Sequence, residues 1–234
     1  MAHKVVLYIQ PAYNYETGEV EYAEVLIRNY RGIDTVPGIM RFVHKNSIED
    51  IFDMDILNEV LNVMSKTKNL NYPIGVNICS QSIAKEGMAD KIIKMLKKYD
   101  INHSSIVIEL NECTDFKNDT VQCNINKLRE VGIRIALDDF GVESANLCSL
   151  MYCNVDILKV DKMFIDRAVG EQKKSQQEIL KALIGLCSTL HLYHIVEGVE
   201  TNKQLDKIQT LGYSVVQGYL YKKPVPFREF MLAS

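Results

Sequence analysis

Glu24, Asn77, Glu109, Asp138, Asp139, Lys159, Asp161, Glu197 and Gln217 share one kind of position in this chain. Each stands within or at the end of a short run rich in Val, Ile, Leu and Tyr, with Arg28, Glu112 and Glu200 close by. Taken singly, an acid at such a place reads as a helix cap or half of an ion pair. Glu112 and Glu200 stay open to that reading, and Asp161 to one as a structural hydrogen-bonding partner. Taken together, the acids need a counter-charge, because carboxylates a few ångströms apart raise one another's pKa. Oxygen ligands alone suit Mg²⁺ or Mn²⁺ better than zinc. The adjacent Asp138 and Asp139 sharpen the argument. Neighbouring strand residues point to opposite faces, but a strand end can turn and offer both carboxylates to metal. One carboxylate could then bridge two ions roughly 3.5–4 Å apart, the arrangement used in phosphoester hydrolysis.

The runs that must position these groups are 5–11, 20–28, 73–78, 105–110, 133–140, 156–161, 191–199 and 214–221, and they read as strands. Segments 47–67, 83–100, 118–132, 176–190 and 202–212 carry apolar residues at three- and four-residue spacing and read as helices. Gly132 and Gly212 stand where two of those helices should stop. Strands alternating with helices at this length point to an α/β fold, a TIM-like (β/α)8 barrel. Only a short turn around Tyr15–Gly18 joins the first two strands. A parallel pair needs a crossover of a dozen or more residues, so the first strand must be antiparallel. An open doubly wound sheet is the competing architecture, and no Gly-rich turn after the first strand favours it. In a barrel, active sites lie at the C-terminal ends of the strands, where the acids are.

The chain has 234 residues, is 47% hydrophobic and carries a net charge of -3. That composition belongs to a globular protein with a sizeable core. Without a Lys/Arg cluster, a nucleic-acid polymer or an anionic membrane is not the expected partner. No apolar run approaches the ~18 residues of a membrane span, and the N-terminus is a poor signal peptide. The six cysteines form no C-x-x-C pair, which fits reduced thiols and a cytoplasmic location. His191 and His194 have H-x-x-H spacing on an expected strand, a geometry that argues against zinc ligation.

The sequence resembles the EAL-domain cyclic di-GMP phosphodiesterases over nearly its whole length. The resemblance rests on YIQP (8–11), AEVLIR (23–28), VNI (76–78), IELNE (108–112), ALDDFG (136–141), LKVD (158–161), VEGVET (196–201) and QGYLYKKP (217–224), all in the family's order. It implies one phosphodiesterase domain over 1–234, a barrel with an antiparallel first strand, and hydrolysis of cyclic di-GMP to linear pGpG. It implies that Glu24, Asn77, Glu109 and Asp138 hold one metal ion. Asp138, Asp139 and Glu197 would hold or border a second, both ions being Mg²⁺ or Mn²⁺. Lys159, Glu197 and Gln217 would be catalytic, and Gln10 and Arg28 would contact substrate, Arg28 as a phosphate clamp. Glu112, Asp161 and Glu200 would support their neighbours. A homodimer is also implied, since the family's loop after the fifth strand links metal binding to dimerisation.

The chain departs from the family pattern in four places. Val25 and Val196 replace alanines beside metal ligands, and 37–45 differs in a way expected to affect packing and interfaces. Glu143 replaces a glycine in the loop after the fifth strand, adding charge and, if that glycine has positive φ, strain. That loop motivates an alternative, a catalytically impaired EAL domain acting as a cyclic di-GMP receptor or protein-interaction module. A Schiff-base aldolase using Lys159 is a third reading, and it leaves the carboxylates unexplained. A cyclase or sensor domain does not fit beside the barrel in this length.

Overall fold

The structure is a computed structural model that describes residues 5–67, 70–141, 150, 152, 154–169 and 174–233. Val142, Glu143, Cys148 and Cys153 lie outside the described residues, and with them the expectation of a strained loop.

Eight strands close into a barrel, β1 (Val5–Asn14), β2 (Val20–Tyr30), β3 (Ile74–Asn77), β4 (Ile106–Asn111), β5 (Arg134–Phe140), β6 (Ile157–Val160), β7 (Tyr193–Val196) and β8 (Val215–Gln217). β2 through β8 run in sequence order and parallel, and β1 closes the ring by pairing antiparallel with both β2 and β8. The expected reversed first strand is therefore present, and the open sheet is not. The hairpin before β2 has a local cause. Asn14 Oδ1 accepts from the backbone N–H of Glu16 at 2.9 Å, folding its own turn.

Helices α1 (Val36–Lys45), α2 (Glu49–Met64), α3 (Ser80–Ile83), α4 (Met88–Tyr99), α5 (Asp119–Glu130), α6 (Lys162–Ala168), α7 (Lys174–Thr189) and α8 (Asn202–Leu211) connect the strands. A short strand β9 (Val225–Pro226) and helix α9 (Phe227–Ala233) then pack back onto β1. Strands β4 and β6 are buried along nearly their whole length, because helices cover one face and the barrel interior takes the other. Caps set several helix starts. Asn118 accepts from Thr120 and Val121, Asp161 accepts from Met163, and Thr201 with Gln204 forms a capping box. Gly132 and Gly212 have φ of 92° and 89°, the left-handed geometry that ends a helix, as expected.

Three expectations need correction. The helix expected over 83–100 is only Met88–Tyr99, separated from the short α3 by a turn that ends at Gly87 with φ 74°. The strand expected over 191–199 is only Tyr193–Val196, and His191 sits in the preceding turn with φ 56°. His191 and His194 are thus on different elements. The strand expected over 214–221 is only Val215–Gln217. The divergent stretch 37–45, expected to affect packing, is helix α1, which buries Ile39 and Val43. Burying two such side chains is worth about 1.5–3 kcal/mol each, and that anchors the helix over β2.

Candidate active site

The barrel interior is built in layers. A floor of Ala12, Tyr22, Val107, Ala136, Ile157, Ile195 and Val215 forms an apolar cluster of its own. Side chains on a strand alternate faces, so the residue two further toward the C-terminal mouth also points inward. Those residues are Glu24, Glu109, Asp138, Lys159, Glu197 and Gln217. On the reversed β1 the same step runs backward, from Ala12 to Gln10. The remaining parallel strand, β3, adds Asn77, paired with Glu109 across the β3–β4 ladder. One step of pleat therefore separates a greasy plug from a ring of polar groups.

Lys159 is at the centre of that ring and fully buried. Its Nζ is 2.8 Å from Asp138 Oδ1, 2.9 Å from Glu197 Oε1, and 3.2 Å from both Glu24 Oε2 and Glu109 Oε2. Gln217 Nε2 donates to Glu24 Oε2 at 3.1 Å and to the carbonyl of Gln10 at 3.3 Å. Asn77 Nδ2 donates to Glu24 Oε1 at 3.3 Å, which leaves its carbonyl oxygen as the end a cation could use. From the floor, the Tyr22 hydroxyl donates to Glu109 Oε1.

The electrostatics of this cluster are strained by excess negative charge. Burial pulls the Lys159 ammonium down, but Asp138, Glu109, Glu197 and Glu24 outweigh it and hold its pKa well above the ordinary value. A Schiff base needs a neutral amine, so this lysine is poorly set up as a nucleophile. Burial pushes Glu109 up to about 8, with Lys159 opposing and Glu24 and Asp138 adding to the rise. Burial likewise raises Glu197 well above the usual carboxylate range. Asp139 is raised to about 6 by burial and by Asp138. One ammonium does not neutralise this many acids.

The donor set fits hard divalent cations. Glu24, Glu109 and Asp138 each offer an oxygen within 4.8 Å of the others, and so do Asp138, Asp139 and Glu197. Asp138 belongs to both groups. Among the described residues, its buried Oδ1 accepts no hydrogen bond, although the Lys159 ammonium is 2.8 Å away, and the buried Oε1 of Gln217 has no hydrogen-bond partner. The turn expected at Asp138-Asp139 is seen in the φ of 54° at Asp139 and in a register break between Leu137 and Phe140.

The remaining expected residues lie around this centre. Glu112 Oε1 accepts from the backbone N–H of Gly141, which ties the β4 end to the β5 end. Asp161 caps α6 through the Met163 N–H at 2.7 Å. Glu200 pairs with Lys162 at 2.7 Å in a half-exposed ion pair and does not reach the cluster. Gln10 donates from Nε2 to the carbonyl of Lys222 at 3.0 Å. Arg28 stands apart, 5.5 Å over the Tyr8 ring, with Nη1 on the carbonyl of Ile27. It lines a groove of about 490 Å³ together with Met40, His44, Asp53, Asn77, Cys79 and Ser80. The divergent α1 segment therefore borders this groove as well as packing on the barrel.

Two contributors escaped the sequence reading. Tyr22 stands two residues before Glu24, so the period of two already put both on one face. Asp53 lies on the apolar face of α2 with Phe52, Ile56 and Leu57, and a carboxylate in such a stripe was the available signal. Its Oδ2 accepts from the Cys79 N–H at 2.9 Å, while its buried Oδ1 has no hydrogen-bond partner among the described residues. Burial raises Asp53 to about 6. Its folded pKa exceeds the unfolded value, so its contribution to stability is full below about pH 4 and is lost as pH rises through about 6. Raising this carboxyl to about 6 corresponds to at most about 3 kcal/mol. The stability of Asp53→Asn relative to the parent should therefore rise between pH 4.5 and 7.5. Urea midpoints for both proteins across that range check it, and a pH-independent difference would refute it.

Comparison with known proteins gives a consistent set. Residues 2–224 match the family described as EAL domain. "Probable cyclic di-GMP phosphodiesterase PdeA" of Escherichia coli K12 is 30% identical over 230 residues, covering 96% of this chain and 31% of that protein. The cyclic di-GMP phosphodiesterase NbdA of Pseudomonas aeruginosa is 29% identical, covering 97% of this chain and 30% of that protein. The chain thus spans about a third of the length of these relatives. The solved PaMucR phosphodiesterase in complex with c-di-GMP superposes with a TM-score of 0.86 at 26% identity, covering 97% of this chain and 99% of that one.

Proposed function

Because this chain belongs to the EAL domain family, we propose that it is a metal-dependent phosphodiesterase that hydrolyses cyclic di-GMP to linear pGpG. The observation that carries the reading is the ring of carboxylates around Lys159, with two overlapping oxygen clusters that share Asp138. Glu24, Asn77, Glu109 and Asp138 would hold one ion, and Asp138, Asp139 and Glu197 the other. Five carboxylates less one ammonium leave four negative charges, which two divalent cations match. Mg²⁺ and Mn²⁺ suit these donors. When bound, such ions supply the positive charge that a phosphodiester needs in its transition state and make water a better nucleophile.

The protein's own groups would do the rest. Arg28, with its guanidinium at the groove, clamps a phosphate of the substrate. Gln10, beside Glu24 on the neighbouring strand β1, would contact the substrate at the mouth. Lys159, kept charged by its neighbours, orders the carboxylates and offsets charge as it builds on the phosphoryl oxygens. Glu197, beside Lys159 and Asp138, is assigned to take a proton from the attacking water, and its burial makes its carboxylate a stronger base than usual. Gln217 orients groups beside Glu24. One water is consumed and one P–O3′ bond breaks, leaving a 3′-hydroxyl at one end and a 5′-phosphate at the other. A cytoplasmic homodimer is the working assembly. Among the described residues, no helix is long and apolar enough to cross a membrane.

The receptor alternative keeps one support, the divergent residues at Val142 and Glu143. Against it, the metal-site carboxylates are all retained. Incubation with cyclic di-GMP, followed by chromatography of pGpG, separates the two. Product with Mg²⁺ or Mn²⁺ and none with EDTA is the expected result. Binding by calorimetry without product would favour the receptor.

A further inference from the structure

Beneath the metal-ligating ring, one polar group of the floor layer reaches up into it. Tyr22 is fully buried among Ala12, Val107 and Ala136, and its hydroxyl donates to Glu109 Oε1. The other oxygen of that carboxylate, Oε2, faces the Lys159 ammonium at 3.2 Å. Glu109 is itself fully buried, so neither of its oxygens can turn to bulk water. A tyrosine in an apolar plug needs a partner for its hydroxyl, and among the described residues that partner is Glu109. The space for this contact comes from the neighbouring strand. Gly75 of β3 lies beside both groups, and a Cβ built there would overlap the Tyr22 hydroxyl and Glu109 Oε1. The step from Gly75 to Asn77 along β3 mirrors the step from Tyr22 to Glu24 along β2. On the β2–β3 ladder Gly75 is opposite Glu24, so the Tyr22 hydroxyl reaches up from the floor into the space that the glycine leaves open.

We propose that Tyr22, accommodated by Gly75, is a positioning residue for the metal centre. Its hydroxyl fixes one oxygen of Glu109 downward and thereby presents the other to the cation site. The inference rests on the metal-dependent reading given above. Carboxylates that bind metal are commonly held by such an outer hydrogen bond, and losing it typically costs about 10–100-fold in metal affinity. Tyr22→Phe keeps the ring and its packing and removes only the donor.

The test is direct titration of Mn²⁺ into the protein, by calorimetry or by the electron paramagnetic resonance of free Mn²⁺, alongside urea unfolding in EDTA. Tyr22→Phe is expected to weaken Mn²⁺ binding by about 10–100-fold while remaining folded in EDTA. Gly75→Ala, which keeps both partners but crowds them, is expected to weaken it too. Unchanged Mn²⁺ affinity in Tyr22→Phe would overturn the inference, since a mere space-filler would leave it unmoved. A parent protein that takes up no Mn²⁺ would overturn the metal-dependent reading itself, and this inference with it. The two failures are distinguishable because the first appears only in the variant.

Discussion

Replacing Lys159 with methionine is expected to lower the stability of the metal-free protein by about 3–5 kcal/mol, the usual cost of removing one partner from a buried charge cluster. The lysine has no exposure and lies within 3.2 Å of an oxygen from each of four carboxylates. Methionine fills similar volume, so the loss reports charge and not a cavity. The acids left behind must take up protons or repel one another. Divalent cations offer a substitute counter-charge. Saturating Mg²⁺ should therefore recover part of the deficit, and the gap between parent and variant should be smaller with Mg²⁺ than with EDTA. Urea unfolding under both conditions measures it. A deficit below about 1 kcal/mol in EDTA would mean that the cluster does not depend on this ammonium, and an unchanged gap would remove the argument for cations at the same place. Hydrolysis by the variant should fall as well, because Lys159 is assigned to offset charge on the phosphoryl group.

Glu24→Ala is expected to abolish hydrolysis of cyclic di-GMP, with a fall of at least about 10³-fold in kcat. Metal-derived stabilisation of developing charge amounts to several kcal/mol, and each 1.36 kcal/mol is about tenfold in rate. Glu24 is the busiest acceptor in the ring. Gln217 and Asn77 donate to its two oxygens, and Lys159 lies 3.2 Å from Oε2. Its removal frees both amides as well as a ligand oxygen. Glu24→Gln keeps the shape and loses the charge, so it separates these effects. Near-equal losses in the two variants would assign the effect to the ligand charge. Near-normal turnover in either would overturn the placement of a metal at Glu24, Glu109 and Asp138.

Much of this site was legible from local chemistry. The strand runs put Glu109 and Asp138 at C-terminal strand ends, and the brevity of the Tyr15–Gly18 turn forced β1 to run backward. Both follow from bonds and dihedrals within a few residues, which is why the chain order alone carried them. Segment boundaries were less legible. Gly87 breaks the helix that the apolar spacing seemed to continue, and the strand around His194 is half its expected length. In both places a backbone turn decides, and hydrophobic periodicity does not register it.

What the sequence determined by itself was the kind of groups present, their order and the strand ends that carry them. Only the tertiary structure decided which of them meet. Glu112, Asp161 and Glu200 were open in the sequence to readings as caps, ion pairs or supports, and the fold makes them a loop tie, a helix cap and a surface ion pair. The contact between Tyr22 and Glu109 spans 87 positions and exists because Gly75, on the strand between them, leaves room. Barrel closure sets such meetings, since the stagger of each strand against the next fixes the height at which every side chain enters the interior.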